Sequence, residues 1–176
     1  MIRLALLAAL VTPMIPPQAE PARPAIERQS AKAGKVTIHY LTIPWGPNTF
    51  AAMEKGGDSF YAKRTWPFAR METRAWVTIE GTRVPTGNYA LVFHPNTADN
   101  KGMTFEVRKI RVAEFLEPGN VMTRTPEGET VVKVPIQFDT VEETVPALSI
   151  DLAPAKGGAS LVIRYGDRQL TRTLAF

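Results

Sequence analysis

Val36, Ile38 and Tyr40 alternate with Thr37 and His39, and this two-residue period recurs along the chain. Ala75, Val77 and Ile79 alternate with Trp76, Thr78 and Glu80; Tyr89, Leu91 and Phe93 alternate with Ala90 and Val92. Met103, Phe105 and Val107 continue the pattern, and a slip of phase to Ile110 and Val112 predicts a bulge near Lys109. Further sets are Val132–Val134–Ile136–Phe138, Leu148–Ile150–Leu152, Leu161–Ile163–Tyr165 and Leu170–Leu174–Phe176. Side chains of a strand point alternately to its two faces, so each set is the buried face of one strand. A helical period is weak throughout. Thr49 to Lys55 is the best helical stretch, one or two turns, stopped by Gly56-Gly57. About eight short strands with little helix predict an all-β fold, an antiparallel β-sandwich of jelly-roll or immunoglobulin-like type. Parallel units are disfavoured because the crossover helices are missing.

The stretch GTRVPTGNYALVFHP, Gly81 to Pro95, could be a ligand loop or a hairpin. Gly81 permits a positive φ, Pro85 fixes an extended corner, and Thr86-Gly87-Asn88 turns the chain into Tyr89. No helix comes after it, so the glycines do not cradle a phosphate as a P-loop would, and a hairpin is expected.

The first residues differ. Arg3 precedes the apolar run Leu4–Val11, and small Ala19 precedes Glu20. This is the layout of a secretory signal peptide over 1–19. The run is too short to span a bilayer, which takes about 20 apolar residues. Five prolines between Pro13 and Pro24 stiffen the chain beyond the apolar run, and 20–35 reads as a flexible linker. A single β-sandwich domain is then expected over 36–176. A soluble product, periplasmic or secreted, is implied by this layout, with no transmembrane segment in the mature chain.

The chain of 176 residues has no cysteine, which removes disulfides, thiolate metal sites and cysteine nucleophiles. The net charge of +4 is spread along the sequence rather than clustered. The footprint of a nucleic-acid binder is therefore missing, and Arg108 to Arg111 reads as the solvated face of a strand.

Three segments resemble a bacterial exported family known as domain of unknown function 2911. They are KVTIHY, then TRAWVTIEGTRVPTGNYALVFHP, and the closing PALSIDLAPAKGGASLVIRYGDRQLTRTLAF. Gly81, Val84, Pro85, Gly87, Tyr89, Leu91 and Pro95 carry the best-kept motif. The central motif departs: TWPFARMETRAW keeps Trp66, with Pro67 and Ala69-Arg70-Met71 where the family has other residues. The resemblance spans roughly 36–176 and implies an exported β protein. It implies no chemistry.

Candidate chemistry is sparse. Two histidines, His39 and His94, could meet Glu54, Glu72 or Asp99. A zinc site wants three or four converging ligands, so no metal and no cofactor is expected. Ser30, Ser59, Ser149 and Ser160 stand in no nucleophile elbow. Adjacent Glu142-Glu143 would point to opposite faces. The segment from Trp45 to Trp76 is richer, with Trp45, Phe50, Phe60, Tyr61, Trp66, Phe68 and Trp76 interleaved with Arg64, Arg70, Glu72 and Arg74. Some of these aromatics must be core; the others could line a ligand site. Trp45, Trp66, Arg70, Glu72, Arg74 and His39 are the expected ligand-binding residues, with no catalytic set. The partner is then a small molecule, a glycan, a peptide or an envelope protein. Alternatives are an envelope hydrolase working through His39, Glu72 and Arg74, and a structural module that pairs through a strand edge.

Overall fold

The structure is a computed structural model, and it describes residues 25–55, 65–95, 103–110 and 128–176. Its elements are β1 (Arg28–Ala33), β2 (Val36–Leu41), α1 (Pro47–Lys55), β3 (Trp66–Thr73), β4 (Val77–Ile79), β5 (Thr82–Val84), β6 (Gly87–Pro95), β7 (Met103–Lys109), β8 (Thr130–Ile136), β9 (Asp139–Ala155) and β10 (Gly158–Ala175). The expected signal peptide lies outside the described residues.

Two antiparallel sheets face each other. One has the order β1-β2-β3-β6-β7-β8 and the other β5-β4-β10-β9. This is the all-β sandwich that the alternation predicts. The inward rows are the apolar sets. Val36, Ile38, Met71, Tyr89, Leu91, Phe105 and Val107 come from the first sheet, and Val77, Ile79, Ile150, Leu161, Ile163 and Leu174 from the second. At the margins β1 runs beside β9 and β5 beside β8, so the sandwich approaches a flattened barrel.

Two expectations need correction. The sheet begins inside the expected 20–35 linker: β1 pairs with β2 from Arg28↔Leu41 to Ala33↔Val36. Its inward residues are only Ala31 and Ala33, too small to register as an apolar row. The Gly81 hairpin exists but is smaller than expected. Glu80 and Gly81, both with positive φ, close β4 onto β5 in a two-residue turn. Strand β6, which Tyr89 was expected to pair back with Ile79, belongs to the other sheet. The phase slip near Lys109 is a register shift between Val107 and Arg108 against β8.

The helix is longer at its start than the periodicity suggests. Pro47 suits the first helical position, where no N–H is needed, and Phe50 N donates to Gly46 O at 2.9 Å. Phe50 and Met53, one turn apart, are its buried residues.

Strand β10 doubles back on itself. Phe176 N donates to Gly157 O at 3.0 Å, so the two ends of β10 lie side by side. Arg164 Nε donates to Gln169 Oε1 at 3.0 Å across its middle. Gly166, with φ 63°, stands between two register shifts in the pairing with β9. The separate apolar sets 161–165 and 170–176 are its two arms.

Candidate functional site

The six expected site residues divide into two environments. Trp66 opens β3 and points inward, 9% exposed, in the core. Phe68 is also turned inward, through a bulge between Pro67 and Ala69, and stacks on Phe93 at 4.1 Å. Trp45 packs edge-on against Tyr165 at 4.7 Å, beside Phe50. Its backbone N–H donates to Pro146 O, and Leu148 N returns a bond to Ile43 O, which ties this segment to β9. These two tryptophans do not line a shared groove with the polar residues. They cover the core, because each offers a large apolar face next to strands that need one.

His39, Arg70, Glu72 and Arg74 do come together. Arg70 and Glu72 lie on β3, on the face turned away from the core. Register sets Ser30 opposite His39 and His39 opposite Arg70, with Lys32, Thr37, Glu72 and Asn88 forming the next row. Glu72 Oε1 accepts from Arg74 Nε at 3.0 Å. That bond is the main cause holding the Glu72 carboxyl below its ordinary range. Burial lowers the His39 pKa, the Arg70 charge lowers it further, and Glu72 opposes both. Arg70 Nε is shielded from solvent and has no hydrogen-bond partner among the described residues. A cationic guanidinium thus faces an imidazole biased toward its neutral form.

The other candidate ligands are dispersed. His94 Nδ1 lies 2.6 Å from Pro95 O, a carbonyl that can only accept, so this nitrogen carries the proton. His94 pairs across to Thr104, away from His39. Glu54 on α1 is paired with Arg168 Nε at 3.2 Å. Asp99 lies outside the described residues. Among the described residues no group of three histidines or carboxylates is placed to hold a metal ion. Ser30 faces His39, but no hydrogen bond joining them is found among the described residues.

One charged cluster was missed by the sequence reading. Glu106 is 2% exposed on β7. Its Oε2 accepts from Arg108 Nε at 2.8 Å and Nη2 at 2.6 Å, and Lys133 Nζ on β8 lies 3.4 Å from Oε1. Arg108 is therefore engaged with a buried carboxylate rather than solvated, as the 108–111 stretch was expected to be. The i,i+2 spacing of Glu106 and Arg108 was the available signal, since it sets both on one strand face.

No family model, no curated protein and no solved structure matches the chain. No helix among the described residues is long and apolar enough to cross a membrane.

Proposed function

We propose that this is an exported β-sandwich binding protein, similar to the 2911 family, that takes an anionic small molecule or acidic glycan on the outer face of β1, β2 and β3. The observation that carries the reading is the outward row around Arg70, whose Nε has no hydrogen-bond partner among the described residues. Such a donor costs free energy unless an acceptor completes it, and a carboxylate or phosphate oxygen fits a guanidinium best. Ser30, Lys32, Thr37 and His39 surround it with further donors. The hydrolase alternative lacks support: Glu72 is committed to Arg74, and no nucleophile is bonded to His39 among the described residues. The assembly alternative asks for a long open edge, and the margins of the two sheets lie beside each other.

Calorimetric titration with acetate, citrate, inorganic phosphate, a uronic acid and neutral sugars tests the reading. An anion is expected to bind while neutral sugars do not. Binding should raise the His39 pKa and so take up a proton, visible as a dependence of the heat on the buffer's ionisation enthalpy near neutral pH. Arg70→Ala should abolish binding. If no anion binds, or Arg70→Ala binds as well as the parent, the reading falls.

A further inference from the structure

We propose that one end of the sandwich is a docking surface for an anionic lipid bilayer. Exposed apolar side chains are informative where they adjoin, and Trp76, 50% exposed, and Phe176, 43% exposed, do so. They emerge at the same end. Ala175 pairs with Thr78, so Trp76 on the approach to β4 and Phe176 beyond β10 run out side by side. The neighbouring turns are cationic. Phe176 packs against Gly34, whose neighbour Lys35 accepts through its carbonyl from Arg74 N at 3.0 Å. Phe176 N bonds Gly157 O, which carries Lys156 to the same place. Arg83 stacks on the Trp76 ring, 4.1 Å from its centroid.

The chemistry of the patch selects its occupant. Arg74 is 80% exposed at the side chain, and Lys35, Arg83 and Lys156 are exposed as well. Glu72 pairs with Arg74, and Glu80 with Arg172 at 3.2 Å, so the cations that the patch offers are Lys35, Arg83 and Lys156. These residues sit on chain turns that end together, which makes a blunt tip and not a cleft. A tip with an indole, a phenyl ring and a collar of Lys and Arg matches a bilayer interface, where aromatic rings lodge at the headgroup level and cations meet anionic phosphates. The inference does not rest on the ligand proposed above; Lys35 and Lys156 have no part in that site.

Vesicle co-sedimentation of the full chain tests it, with phosphatidylcholine vesicles against an equal mixture of phosphatidylcholine and phosphatidylglycerol. The apolar run Leu4–Val11 is common to every variant, so its contribution cancels in the comparison. Binding is expected to be roughly tenfold or more tighter on the anionic vesicles and to weaken with salt. Lys35→Glu with Lys156→Glu should remove that preference by roughly tenfold while leaving the melting temperature unchanged. Trp76→Ala should weaken binding severalfold, and the blue shift of tryptophan emission on binding should vanish in Trp76→Phe. Equal binding to both vesicles overturns the proposal. So does a folded Lys35→Glu/Lys156→Glu variant that binds like the parent. Equal affinity for soluble glycerophosphate would mean a headgroup site without a membrane surface, and would overturn it too.

Discussion

Tyr89 and Gly166 illustrate how much a single position can carry. Tyr89 is fully buried, and its hydroxyl donates to Pro85 O at 2.8 Å. Tyr89→Ala should cost roughly 3 kcal/mol through the cavity it leaves, and Tyr89→Phe about 1 kcal/mol through the lost bond. Urea unfolding of the two variants separates packing from hydrogen bonding. Gly166 combines a left-handed φ of 63° with the Trp45 ring lying where a Cβ would be. Gly166→Ala should therefore destabilise by roughly 2–4 kcal/mol. Adding Trp45→Ala removes the collision but not the backbone strain, so the double variant should lose less than the sum of the singles. Additive losses would show that the ring does not press on this turn. Charged residues split in the same way. Glu106 is buried beside Arg108, so Glu106→Ala should cost roughly 1–3 kcal/mol by leaving the half-buried Arg108 guanidinium without its acceptor. Glu72→Ala breaks a pair whose arginine is exposed and should stay within about 0.5 kcal/mol. Equal losses at Glu72 and Glu106 would contradict this division.

At the scale of elements, the β1–β2–β3 face sets a pH dependence. Folding lowers the His39 pKa from 6.5, so the unfolded chain binds the proton more readily. Stability from this group is complete above about pH 6.5 and declines as pH falls below it. Glu72, also lowered, adds a loss in the same direction at more acid pH. His39→Gln should flatten the decline that begins below about pH 6.5, measured by melting temperature as pH is lowered. An unchanged profile in His39→Gln would mean that another group titrates there. Strand β1 is an element whose signal was present but faint. Gly34-Lys35 is a two-residue turn, and Ala31 and Ala33 alternate with Ser30 and Lys32 ahead of it. Methyl side chains carry little hydrophobic signal, so proline content dominated the reading of 20–35. Strand β3 was hidden differently: Pro67 and the bulge beside it interrupt the alternation of Trp66, Ala69 and Met71.

Across the molecule, β1 is the margin of one sheet and lies beside β9, the margin of the other. Beginning the chain at Lys35 should strip β2 of its neighbour and open this side of the sandwich. We expect a melting temperature lower by several degrees and a tendency to associate through the bared edge, seen by light scattering. A truncated chain that melts like the parent would mean that β1 adds nothing to closure. The linear pattern was enough to set the all-β class, the inward rows of β2, β4, β6, β7 and β10, and the outward position of His39. Alternation is a local property of an extended backbone, and it survives whatever the strand packs against. The two arms of β10 were legible for the same reason. Long-range packing settled which strands are neighbours: β4 and β6, close together in the chain, went to different sheets. It also decided that Trp45 and Trp66 cover the core while Trp76 stays in water, and that Glu106 sits dry beside Arg108. A tryptophan or a glutamate carries no mark of its own burial, because burial is set by partners far away in the sequence.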